Sequence, residues 1–407
     1  MNYSKETVED LKKHFGLPLY VFDEKGFEEN YNHLYSSMKA KYNNYKVAYS
    51  FKTNYTPYIC AKAKALGAYA EVVSGMEYSI AKRIGFDDNK IIFNGPDKGE
   101  EGIRAFLNGC IVNADSLDEL GLYCEAAKAH PEKFFKIGIR LNLNIGQDFI
   151  SRFGMTEEDA ERAFQMVAEV QNLKIAGLHC HISRCRSKEA WRKRTEYMLE
   201  LSDRLFKNDL QEYIDLGSGM FGSMAPEFKA QFTDVPTYED YAEVTADLIS
   251  NHFEGREQPT FFTEPGTTLI NRFVDCIAEV EAIKSINDHY FAILDASQHT
   301  LGETCLLKKL PIEVIPGGAQ QTEYTQIDLT GNTCLEQDVL YRDFCGRLAK
   351  GDYVVFGNTG GYSNVLKPPF IWPSCAMIAV REDGAALKIK AAETYEELLS
   401  TYLFECI

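Results

Sequence analysis

The residues whose types could do chemistry in this 407-residue chain are a lysine, two histidines, a glycine-rich turn and a glutamate, each closing a short apolar run. Lys52 follows V-A-Y-S-F. A lone lysine in such a place is commonly a surface group, but an amine held against an apolar enclosure has its charge disfavoured by desolvation and can form a Schiff base. His179 and His181 alternate in G-L-H-C-H-I-S and so share one strand face. One would line an interior and the other would reach its mouth. A metal pair is the rival reading, and no third ligand stands at a sensible spacing; a flat imidazole also suits stacking on an aromatic ring. Gly217, Ser218 and Gly219 follow Y-I-D-L, and glycines let backbone N–H groups approach a phosphate, although an ordinary turn has the same composition. Glu264 opens E-P-G, either as a turn cap or as a carboxylate that keeps a ring nitrogen protonated. Arg140, and Ser74 with Glu77, are further candidates that a rim ion pair would explain equally well.

The elements that must position these groups alternate regularly. Short β-rich runs at 46–51, 68–73, 90–93, 110–114, 134–142, 174–182, 213–216 and 260–264 are separated by helix-like segments such as 57–66, 76–84, 117–127, 157–170, 188–206 and 238–252. This alternation predicts a (β/α)8 TIM barrel, an α/β fold, with the candidate groups at the C-terminal ends of its strands, the face where barrels carry their sites. From about Arg272 onward, β-branched and aromatic runs at 273–280, 290–294, 324–328, 353–356 and 375–380 alternate with Gly, Asn and Pro turns. They predict a second, mainly antiparallel β domain. The expected division is a barrel over 25–267 and a β-sandwich or β-barrel domain from 1–24 plus 268–407.

A formal charge of −17 with dispersed Lys and Arg argues against nucleic acid as a partner. No apolar run reaches the length of a membrane span, and the N-terminal segment reads as a short amphipathic helix without a signal peptide's apolar centre. Eleven cysteines, without CxxC pairs or His/Cys clusters, suggest free thiols in a reducing cytoplasm and no metal centre.

Taken together, the motifs resemble those of the fold-type III decarboxylases that use pyridoxal 5′-phosphate (PLP), the group of diaminopimelate, ornithine and biosynthetic arginine decarboxylases with an alanine racemase-like barrel. L-P-L-Y-V-F-D resembles the family's opening strand, Y-S-F-K-T-N the motif whose lysine carries PLP, and E-V-V-S-G-M-E and I-I-F-N-G-P-D-K the segments at strands two and three. The resemblance implies that His181 stacks on the cofactor ring and that Gly217, Ser218 and Gly219 hold its phosphate. It places Glu264 at the pyridine nitrogen and, from C-L-E-Q-D-V-L, gives Cys334 to the neighbouring subunit's site. Tyr362 would contact the phosphate and Phe370 the substrate. A homodimer with shared sites acting on a small amino acid follows from the resemblance. It implies a carboxy-lyase in which Lys52, Glu264, His181 and Cys334 serve the reaction; an amino-acid racemase and a non-catalytic PLP-binding relative are the rivals.

Two departures stand out. After Glu264, Pro265 and Gly266 the family's arginine is replaced by Thr267, while Arg184 stands where the family has a phosphate-binding serine, so Arg184 is expected to supply the missing charge. Leu335 occupies the place of an acidic residue for a distal ammonium; burying that ammonium unpaired would cost on the order of 3 kcal/mol. Plain ornithine and diaminopimelate are therefore disfavoured, unless Glu336 turns inward, and 367–373 (K-P-P-F-I-W-P) is expected to be a specificity loop.

Overall fold

Eight parallel strands close on themselves in the computed structural model, which describes residues 3–207, 209–366 and 370–404. With strands numbered along the chain, the barrel comprises β2 (Tyr45–Ser50), β3 (Tyr69–Val72), β4 (Ile91–Phe93), β5 (Ile111–Ala114), β6 (Phe135–Leu141), β7 (Leu173–Cys180), β8 (Tyr213–Asp215) and β9 (Thr260–Thr263); β9 pairs with β2 to complete the ring. β1 (Leu19–Asp23) lies outside it. The fold is the expected (β/α)8 barrel, accompanied by a mainly antiparallel β unit.

The helices between barrel strands start and stop where their sequences say. Ser74, Ser116 and Ser187 each cap a helix by accepting a backbone N–H from three residues on. Gly85 and Gly109 end helices in the left-handed conformation that glycine adopts without strain. The helix Lys188–Phe206 buries Trp191, Thr195, Met198, Leu199, Ser202, Leu205 and Phe206 along one stripe. The single helix expected at 238–252 is instead two, Tyr238–Val244 and Ala246–His252, because Thr245 leaves helical dihedrals (φ −128°, ψ −79°) and turns its hydroxyl onto the Tyr241 carbonyl at 2.7 Å.

Inside the barrel the strand period of two sorts side chains into layers. Ala48, Ile92, Tyr213 and Phe262 pack together, with Tyr69 and Ile111 against them. Gly138 and Gly177 complete this floor by yielding room: a Cβ on Gly177 would lie 2.5 Å from the Tyr213 ring, and one on Gly138 would collide with its hydroxyl. Two residues further along each strand or just past its end stand Ser50, Glu71, Asn94, Asn113, Arg140, His179, Asp215 and Glu264. The second layer is polar at every position.

The chain divides into two compact units, one of Asn30–Gly222 and Asp234–Thr268, the other of Met1–Glu29, Ser223–Thr233 and Leu269–Ile407. The second contains β1 and the remaining strands: β10 (Val274–Ile286), β11 (His289–Leu294), β12 (Ile312–Ile315), β13 (Thr322–Thr330), β14 (Val339–Leu348), β15 (Tyr353–Phe356), β16 (Ala376–Val380) and β17 (Ala386–Lys390). β1 sits between antiparallel β10 and parallel β16. The early segment L-Y-V-F thus fills the middle of a sheet built mostly from the end of the chain. Val8 and Leu11 of the N-terminal helix Lys5–Phe15 pack on Leu19, Val21, Ile277 and Ile378. Within the segment expected to set specificity, Lys367, Pro368 and Pro369 lie outside the described residues. The Phe370 ring lies 5.7 Å from that of His299, and the Trp372 indole donates to the Asn332 carbonyl at 3.2 Å.

Gly177→Ala should lower unfolding free energy by about 3 kcal/mol, since the barrel floor cannot yield to the extra carbon. Denaturant titration measures this, and an unchanged midpoint would show that Tyr213 does not fill the floor as described.

Candidate active site

Lys52 sits in a single 3-10 turn, Phe51–Thr53, immediately after β2. Its Nζ meets Glu71 Oε2 at 2.5 Å, and the same oxygen accepts the Ser50 hydroxyl at 2.5 Å. Glu71 is 1% exposed. Asn94 carries the connection across the barrel: its Nδ2 donates to Glu71 Oε1 at 3.2 Å and to Glu264 Oε1 at 2.5 Å. The Asn94 side-chain oxygen accepts from Asn113 at 2.8 Å, and Asn113 accepts from Tyr213 at 2.6 Å. On its other side Glu264 meets His179 Nε2 at 3.3 Å. Lys52 and Glu264, 212 positions apart in sequence, are therefore joined by one amide and one carboxylate.

Burial alone would keep Glu264 protonated, but the hydrogen bond and charge of His179, with Lys52 behind, hold its pKa well below the usual carboxylate range. Asp215 goes the other way. Burial and the charge of Glu264 raise it well above that range, so this pair holds one negative charge. Asp215 Oδ1 accepts the Gly217 N–H at 2.8 Å, while Oδ2 and His179 Nδ1 are buried with no partner among the described residues. His179, Asp215 and Glu264 offer ligand atoms all within 4.8 Å of one another. His181 is not part of this group: β8 and the end of β9 bring both carboxyls to His179 on β7, and spacing along the chain does not reveal neighbours around a barrel.

His181, just past β7, is half-buried. Its Nδ1 accepts the Ser218 N–H at 3.1 Å, which places the imidazole proton on Nε2. Burial, with the charges of Lys52 and Arg140, pushes its pKa well below the ordinary histidine value, so the ring stays neutral. The glycine turn is tight. A Cβ on Gly217, which has φ +66°, would collide with the Cys180 carbonyl, and the Gly217 carbonyl is taken by the Glu264 N–H at 2.8 Å. Within the turn, Gly217 and Ser218 commit their N–H groups to Asp215 and His181, and the Gly219 N–H has no acceptor among the described residues.

The remaining expected residues fall as follows. Arg140 pairs with Asp115 at 3.4 Å and lies over the Phe153 ring at 4.6 Å. Ser74 caps its helix. Gly266 is packed so that a Cβ would collide with the Thr53 hydroxyl, and Thr267 is half-buried at the start of a short helix. Arg184 is exposed with φ +66°. In the β unit, Cys334 and Glu336 are exposed and Leu335 half-buried on the turn between β13 and β14. Asp338 staples that turn by accepting from Thr333 N at 3.1 Å, Thr333 Oγ1 at 2.5 Å and Gln298 N at 2.7 Å. Tyr362 is half-buried with φ +55°. Sequence reasoning did not select Glu71, Asn94, Asn113, Asp215 or Arg194. The signal for the first four was a polar residue two positions after an apolar floor residue in barrel strands that bury both faces, where an unpaired polar group is costly; Arg194, on a helix, had no such signal.

Glu77 supplies a test of this electrostatic picture. Its carboxylate accepts the Val73 N–H at 2.7 Å, and burial, reinforced by Glu71, raises its pKa from 4.5 to about 7. The folded protein therefore holds a proton that the unfolded chain releases, so stability falls as pH rises from 4.5 to about 7 and is level above. Glu77→Gln keeps an acceptor for Val73 and should remove about 3 kcal/mol of that decline. Parallel stability–pH curves for the two proteins would contradict it.

Comparison with known proteins matches this geometry to one family. The profile described as "Pyridoxal-dependent decarboxylase, pyridoxal binding domain" matches residues 29–271. A diaminopimelate decarboxylase of Aquifex aeolicus is 25% identical, with 98% of this chain and 94% of the relative aligned. The L-glutamyl-[BtrI acyl-carrier protein] decarboxylase of Niallia circulans is 25% identical over 99% of this chain and 97% of its own. The crystal structure of the M. jannaschii diaminopimelate decarboxylase in complex with L-lysine shares the fold, with a TM-score of 0.85 at 24% identity over 97% of this chain and 94% of that one. No helix among the described residues is long and apolar enough to cross a membrane. By the extent of the match and the barrel it covers, this chain belongs to the pyridoxal-dependent decarboxylases.

Proposed function

We propose that the chain holds PLP through Lys52 and removes the α-carboxylate of an amino acid. The observation that carries this reading is the hydrogen-bonded line Lys52–Glu71–Asn94–Glu264, an amine at one end and an ionised carboxylate at the other. The donor set fits the coenzyme. Lys52 would hold its aldehyde carbon, Glu264 would keep a proton on its ring nitrogen, and neutral His181 offers a flat face. The Gly219 N–H, with Ser218, Arg184 and Thr267, would serve the phosphate. Bound there, PLP supplies an electron sink for the pair left when CO2 departs. An ionised carboxylate at the nitrogen position favours this sink and so favours decarboxylation over racemisation. The exposed thiol of Cys334, donated by the β unit to a partner subunit's barrel, would return a proton to the substrate carbon, so the working unit is a homodimer. Borohydride reduction in the presence of PLP should tag the peptide containing Lys52 and no other; an untagged Lys52 with a tag elsewhere would overturn the assignment.

The substrate's far end is proposed to carry no free ammonium. Leu335 cannot neutralise one, Glu336 is exposed, and burying an unpaired charge is expensive. The name of the Niallia relative, a glutamyl group joined to a carrier protein, is compatible with an α-amino acid that has no distal ammonium, whereas the name of the Aquifex relative favours diaminopimelate. CO2 release across diaminopimelate, ornithine and their distally N-acylated forms separates the two readings. The distally N-acylated substrates should be favoured by roughly 100-fold, the scale of one unneutralised charge. Diaminopimelate as the best substrate would refute the role given to Leu335.

A further inference from the structure

Arg194 is buried completely on the inner stripe of the helix Lys188–Phe206. Its Nη1 donates to the carbonyls of Leu216 at 3.0 Å and Ser218 at 2.9 Å, and its Nη2 to that of Ile182 at 3.0 Å. Its guanidinium lies over the Trp191 ring at 4.2 Å. Among the described residues no carboxylate forms an ion pair with it, and the titratable groups that act on it are the neutral Cys180, Cys185 and Tyr241. A neutral amide could staple the same loops. A buried cation without a counter-ion is costly, so its charge requires a reason beyond the hydrogen bonds.

Peptide geometry supplies one. In a trans peptide the N–H points opposite to the C=O, so the Ser218 carbonyl on Arg194 turns the Gly219 N–H away from the guanidinium. Gly219 carries the one amide of the glycine turn left uncommitted by Asp215 and His181. A cation on the carbonyl polarises that peptide and strengthens its N–H as a donor. Thr267 brings no charge, and exposed Arg184 is screened by water.

We propose that Arg194 is the positioning residue and buried counter-charge for the phosphate monoester of the cofactor, acting from behind the turn through the Ser218–Gly219 peptide. This rests on reading Gly217–Gly219 as the phosphate turn. The test compares affinities for PLP and for pyridoxal, which lacks the phosphate, by absorbance titration of the wild type, Arg194→Gln and Arg194→Lys. Inorganic phosphate serves as competitor. The glutamine variant should lose roughly 10- to 100-fold of the preference for PLP, keep its pyridoxal affinity and become insensitive to phosphate. The lysine variant, which retains the charge, should keep most of the preference. A glutamine variant with wild-type preference, or one that loses both ligands equally, overturns the proposal. Should the glutamine variant not fold, a folded lysine variant without preference overturns it as well. A wild type that binds PLP and pyridoxal equally would instead overturn the phosphate-turn reading, and this inference with it.

Discussion

One buried negative charge organises the site. Glu264 is 1% exposed yet ionised, a condition that the interior tolerates only when hydrogen bonds and opposite charge replace the lost water. His179 and Asn94 supply the contacts, and through Glu71 the same network reaches Lys52. Asp215 keeps its proton because a second anion beside Glu264 would go uncompensated. Burial and this one carboxylate at the end of β9 together keep the proton on Asp215.

The barrel makes that charge affordable by precise layering. Its floor closes with Tyr213, whose ring occupies the room left by Gly138 and Gly177, and the Tyr213 hydroxyl anchors the polar layer above through Asn113. Side chains set on eight paired strands have little freedom to shift, which is what a preorganised site requires. The turns at the mouth are fixed from below: the Gly217 N–H by Asp215, the Gly217 carbonyl by Glu264, and the loops after β7 and β8 by Arg194. Fixing a turn by its backbone leaves few of its groups free.

Relatives about a quarter identical to this chain carry names with different substrates, as expected when a fold hosts a reaction and loops choose the molecule. On the proposed reading, the turn carrying Cys334, Leu335 and Glu336 has that character. Its backbone is stapled by Asp338 while its side chains face outward or lie half-buried. Changing them leaves the hydrogen bonds of the staple in place.

The barrel was legible because hydrophobic runs and helical stripes are local properties of the chain, and Lys52, His181, Gly217 and Glu264 were legible because each ends such a run. The second layer was present as well, in the i, i+2 spacing of Tyr69 with Glu71, Ile92 with Asn94, Ile111 with Asn113 and Tyr213 with Asp215, but a polar residue at a strand end has many local explanations. Tertiary structure alone decided which of these groups meet. Closing a barrel brings β4 against neither β7 nor β9 in sequence, yet sets Asn94, His179 and Glu264 in one hydrogen-bonded set, and it places Arg194, a helix residue with nothing local to mark it, beneath the glycine turn. Periodicity is written along the chain; the partners of a buried charge are fixed only when distant strands share one interior.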